Sequence, residues 1–99
     1  MITYLEFENK KSEVYKEARA IYYRLTEQGL FSKNGKYTEK NSKTFENFST
    51  LVVEVFPERE EMQLNYQHDQ GIGNIGIVYF PKNDPALIPP PVNDISDFL

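Results

Sequence analysis

Apolar residues recur at a helical period in the first third of the chain. Val14, Ala18, Ile21 and Leu25 fall at i, i+4, i+7 and i+11, with Tyr22 widening the same face, so the pattern predicts an amphipathic helix over 12–28. Asn9 or Ser12 can cap its start and Glu13 suits the first turn. Gly29 supplies a left-handed position after the last turn, where Leu30 can fold back on Leu25. Ahead of this helix, residues 1–8 alternate Ile2, Tyr4 and Glu6 against Thr3, Leu5 and Phe7, which predicts a first strand.

The period changes after Gly29. Residues 30–49 are rich in Lys, Asn, Ser and Thr, and Lys33-Asn34-Gly35-Lys36 between Phe31 and Tyr37 is a two-residue hairpin signal. A short exposed hairpin and a plain loop fit this stretch equally well. Residues 49–56 form a β-branched run stopped by Pro57, and Met62, Leu64 and Tyr66 alternate with Gln63, Asn65 and Gln67 in a second strand. A third strand, 75–80, lies between a glycine-rich turn and Pro81. Strands joined by short polar turns predict an antiparallel meander with Gln63, Asn65 and Gln67 on its solvent face. The other face needs the helix as cover, so the expected architecture is α+β: one amphipathic helix on a three- to four-stranded antiparallel sheet. From residue 83 the composition turns to Asn, Asp and Pro, with Pro89-Pro90-Pro91 favouring a stiff extended spacer. The expected division is a single domain over 1–82 and a proline-rich acidic tail over 83–99.

Composition narrows the function classes. Ninety-nine residues leave no room for a second hydrophobic core, and 39% hydrophobic content with seven Tyr and seven Phe predicts a packed core. The formal charge of −4 disfavours a protein whose main task is to coat phosphate backbones. Without cysteine there are no disulfides, thiolate metal sites or thiol nucleophiles. No apolar run approaches the roughly 18 residues of a membrane span. Glu6 and Glu8 stand where a secretion signal would need a basic start and an apolar stretch, so a cytoplasmic location is expected.

Local motifs point away from chemistry. Gly71-Ile72-Gly73-Asn74-Ile75-Gly76 matches a dinucleotide fingerprint in letters. That motif works by aiming a helix N-terminus at a pyrophosphate, and here a β-prone run follows instead. Gly76 inside that run predicts a bulge or close packing against Tyr79 or another aromatic. His68 and Asp69, as neighbours in a strand, would point to opposite faces. The Glu58, Glu60 and Glu61 corner around Arg59 lacks the spacing of a calcium loop and reads as a solvated charged turn. No catalytic residue, metal or cofactor is expected.

Two segments suit a macromolecular partner. The C-terminal Asp94, Ile95, Asp97, Phe98 and Leu99 combine acidic and apolar groups with the chain-end carboxylate, a combination that a basic rim and an apolar pocket capture. The same residues could instead patch an uncovered part of the sheet. Tyr15, Tyr22 and Tyr23 nearly encircle the helix, so they cannot all reach one core, and Tyr23 is a candidate partner contact. The resulting expectation is a non-catalytic protein-binding module, of inhibitor, immunity, phage-antagonist or regulatory-subunit type, that occludes or recruits a partner protein. The alternatives are a structural subunit of a larger assembly, or a nucleic-acid contact through Lys33, Lys36, Tyr37, Lys40 and Lys43, the one basic segment of the chain.

Overall fold

The computed structural model describes residues 3–40, 44–45, 48–68 and 73–87. A helix α1 (Tyr4–Glu27) is followed by strands β1 (Gly35–Lys40), β2 (Phe48–Phe56), β3 (Glu61–His68) and β4 (Asn74–Tyr79), with short 3-10 turns at Pro57–Arg59 and Pro81–Asn83. The strands form one antiparallel sheet in the order β1-β2-β3-β4, a plain meander. One helix on a four-stranded antiparallel sheet is the expected α+β architecture.

In place of the first strand expected over 1–8, residues 4–8 form the start of α1, and residues 1 and 2 lie outside the described residues. The Thr3 hydroxyl accepts a hydrogen bond from the Glu6 amide at 3.0 Å and caps the helix there. The alternation in this stretch puts apolar groups on both faces of any strand, whereas the helical period puts Phe7 two turns before Val14 on the core side. Lys11–Glu8 and Lys10–Glu13 pairs one turn apart support the exposed surface of the same turns. Thr3→Ala should therefore cost about 1 kcal/mol and fray the first turns. Urea unfolding together with far-ultraviolet dichroism measures both effects.

The other end of α1 follows the sequence reading. Gly29 lies at φ 73°, its amide donates to the Thr26 carbonyl at 3.0 Å, and the Leu30 amide donates to the Leu25 carbonyl at 2.8 Å, the paired bonds of a Schellman motif. After it the chain does not turn into a local hairpin. Residues 31–34 form the turn, and Gly35–Lys40 joins the sheet by pairing with β2, with Lys36 opposite Glu54. Opposite charges across that long-range pair replace the like-charge repulsion that a Lys33/Lys36 hairpin would carry.

The core lies between α1 and the inner sheet face. Val14, Ala18, Ile21 and Leu25 pack with Phe45, Leu51, Val53, Val55, Met62, Leu64, Tyr66 and Tyr79, all buried. A register shift between Phe48 and Thr50 lets Phe48 face inward with Leu51, which strict alternation would forbid. Gln63, Asn65 and Gln67 lie on the opposite, open face. Gly76 sits in regular register opposite Asn65, so neither the expected bulge nor an aromatic explains it. A Cβ there would meet the Asn65 side-chain oxygen at 3.1 Å. The Glu58–Glu61 corner is also less solvated than expected, because Glu61 is buried, accepts from the Gln63 side-chain Nε2 at 2.8 Å and faces Arg59 at 3.6 Å.

Candidate docking cleft

A cavity opens beside the outer strand β4. Tyr15, Arg19 and Tyr23 recur every four residues on α1 and form a stripe next to its core face. Arg19 reaches the segment that follows β4. Its Nε donates to one Asp84 oxygen at 2.9 Å and its Nη2 to the other at 3.2 Å, a bidentate fork. The Tyr79 hydroxyl and the Ala86 amide also donate to Asp84, the amide at 3.0 Å. Asp84 is buried, and each of its oxygens accepts two hydrogen bonds.

This latch has a definite protonation state. The Arg19 fork, helped by Tyr79 and the Ala86 amide and opposed by burial, holds the Asp84 carboxyl down at about 2. Burial, and then the neighbouring Asp84, push the Tyr79 phenol well above its ordinary range. Arg19 is raised in turn, chiefly by the hydrogen bond to Asp84. A carboxylate so fully occupied is a poor general base, since its lone pairs already face donors.

Above the latch is a cleft of about 390 Å³ lined by Tyr15, Arg19, Val78, Tyr79, Phe80 and Asp84, with Asn83 and Pro85 closing one side. Its rim is apolar and open: Tyr15, Val78 and Phe80 are 39%, 48% and 40% exposed. Tyr23 is 55% exposed one helical turn past Arg19, with its ring 6.0 Å from that of Tyr22, and is not one of the residues lining the cleft.

A second polar node lies under the helix. The Tyr66 hydroxyl donates to Glu17 at 2.8 Å and Thr44 donates to the same oxygen. Burial, reinforced by the Glu17 charge, pushes the Tyr66 hydroxyl far above its ordinary range. This node fastens the middle of α1 to β3.

The structure separates several residues that the sequence groups together. Lys33 and Lys36 are exposed, but Lys36 and Tyr37 point to opposite faces of β1, and Tyr37 packs against the core. Tyr37 is therefore not available beside Lys36 to stack a base. Lys40 ends β1, and Lys43 lies outside the described residues. Asp94, Ile95, Asp97, Phe98 and Leu99 also lie outside them, as does Asp69. The His68 ring meets Phe48 edge-on at 5.6 Å. In the glycine motif Gly73 takes φ 79° and the chain continues into β4, so no helix N-terminus follows.

Sequence reading missed the latch. Arg19 and Asp84 are 65 positions apart, and no local pattern joins them. The one available signal was Asn83-Asp84-Pro85, a turn in which an Asp side chain accepts from the amide two residues on. Among the described residues no three His, Asp or Glu side chains group to hold a metal ion, and no helix is long and apolar enough to cross a membrane. Comparison with known proteins finds no matching family, no similar curated protein and no similar solved structure.

Proposed function

We propose that the protein acts by docking a partner protein in the aromatic cleft beside β4, and that it transforms no substrate. The observation that carries this reading is the contrast within the cleft: three large apolar side chains stand open to solvent around a carboxylate whose acceptors are all engaged. Partly exposed Tyr and Phe around a depression are the usual anchors of protein interfaces, and Arg19 and Tyr23 extend the set. The formal charge of −4 favours steering toward a basic partner surface. In this reading Asp94, Ile95, Asp97, Phe98 and Leu99 supply a second contact, since they follow the cleft segment in the chain.

The test uses the intact chain as bait in the cells that make it, followed by titration of the purified, identified partner against variants. Phe80→Asp leaves the core intact and should weaken binding by about 30-fold or more, the loss typical of an interface anchor. Ending the chain at Pro91 should weaken it further. Should binding instead be lost on changing Lys33, Lys36, Lys40 and Lys43 to Gln, with Phe80→Asp without effect and nucleic acid as the captured species, the basic segment would be the functional one.

A further inference from the structure

Among the described residues the strand order leaves β4 with one unpaired edge, and the strand's own sequence carries none of the usual protection. Strands at sheet edges ordinarily carry charge, proline or a bulge to block pairing with other chains. The opposite edge, β1, follows this rule with Lys36, Glu39 and Lys40. β4 reads Asn-Ile-Gly-Ile-Val-Tyr, without charge, proline or register shift. The exposed first turn of α1 lies beside it. Tyr4 and Leu5 are 75% and 73% exposed, and Thr3, Tyr4 and Phe7 share a groove of about 240 Å³ with Ile75, Gly76 and Ile77.

The backbone alternation says which groups are on offer. His68 N donates to Gly73 O at 3.4 Å, and in the same register Tyr66 faces Ile75 and Leu64 faces Ile77. These are the hydrogen-bonded pairs of an antiparallel ladder, so the N–H and C=O groups of Ile75 and Ile77 point toward β3. Those of Asn74, Gly76 and Val78 point out from the free edge.

We propose that this edge pairs with the same edge of a second copy of the chain, antiparallel, about a two-fold axis at Gly76. That register sets Gly76 opposite Gly76, Asn74 opposite Val78 and Ile75 opposite Ile77, and every outward backbone group meets a partner. A second copy fits because an antiparallel strand is self-complementary under a two-fold axis and a neutral strand opposes no like charges to itself. A β1 edge paired in the same way would oppose lysines or glutamates in most registers. The groove between Tyr4, Phe7 and Ile75 then faces its own counterpart across the axis. The result is a continuous eight-stranded sheet in which the new pairing ends at Val78, a residue that also lines the aromatic cleft. The pairing uses the outward backbone groups of β4, whereas the cleft reading is tested at Phe80, so either can fail alone.

Sedimentation velocity over a dilution series tests it. Gly76→Lys and Gly76→Glu each place two like-charged side chains opposite each other at the axis, on Cα atoms about 5.5 Å apart. The added Cβ meets only the side-chain oxygen of Asn65, at 3.1 Å. The wild type should dimerise reversibly, each variant alone should dimerise at least tenfold more weakly, and an equimolar mixture should recover the association. Two surface doubles give the same answer without touching the glycine. Asn74→Glu with Val78→Lys opposes unlike charges and should retain the dimer, whereas Asn74→Lys with Val78→Lys should lose it. A wild type that stays monomeric at the highest soluble concentration overturns the proposal. So does a dimer indifferent to all these changes, or a mixture of folded variants that fails to recover association.

Discussion

Truncation of Tyr66 to alanine is expected to lower the unfolding free energy by about 3–5 kcal/mol, the cost of deleting a large, fully buried aromatic side chain. Tyr66 has no exposed surface, meets Phe45 edge-on with ring centroids 5.0 Å apart, and lies on the inner sheet face. Its hydroxyl also reaches Glu17 on the helix, so one side chain serves the apolar core and the polar node together. For a domain of this size, each kcal/mol shifts the melting temperature by about 4–8 °C, so the loss amounts to about 12–40 °C. Tyr66→Phe keeps the ring and removes one donor to the charged Glu17, at a cost of about 1.5–3 kcal/mol. Thermal and guanidinium unfolding of the two variants separate packing from the hydrogen bond. A Tyr66→Phe loss as large as that of Tyr66→Ala would show the polar node to dominate.

The second large effect is at the latch. Asp84→Ala should destabilise the domain by about 3 kcal/mol, because it leaves Arg19 and the Tyr79 hydroxyl facing a partly buried site with no carboxylate. It also frees the segment after β4 from the helix and should abolish partner binding at the cleft. Replacing both members, Arg19→Met with Asp84→Leu, should recover most of the stability but not the shape of the cleft, since apolar pairs of similar volume substitute well for buried ion pairs.

The same carboxylate sets an acid limit. Its pKa is about 2 when folded, against 3.8 ordinarily, because Arg19 and the other donors favour the charged form. A group depressed on folding contributes stability above its unfolded value and loses it as pH falls through the folded value. The contribution is therefore complete above about pH 4 and fades down to about pH 2. At about 1.4 kcal/mol per unit, discounted for solvent around the partly exposed guanidinium, it amounts to about 1–2 kcal/mol. Denaturation curves of wild type and Asp84→Asn should accordingly converge as pH falls through this window. Curves that remain parallel down to pH 2 would place the acid sensitivity elsewhere.

What local pattern decides, the sequence already contained. The positions buried on α1, the Schellman end at Gly29, the three β-branched or alternating strands and their antiparallel order all follow from periods of 3.6 and 2 and from turn residues. These depend on neighbours within a few positions. The helix start at Thr3 went the other way because an eight-residue stretch with apolar groups on both alternating sets carries no clear period. Only packing Phe7 against the sheet settles it.

Tertiary structure alone decided the rest. Gly35–Lys40 becomes a strand because β2 offers it an edge and opposite charges, which no hairpin of its own would. Arg19 and Asp84 are ordinary surface residue types in the sequence. They form a part-buried fork because α1 lies beside Tyr79, with Tyr15 6.5 Å from its ring, and the chain turns back there after β4. The cleft and the bare β4 edge arise in the same way: one helix covers only part of a four-stranded sheet, and which apolar residues remain uncovered depends on where that helix lies.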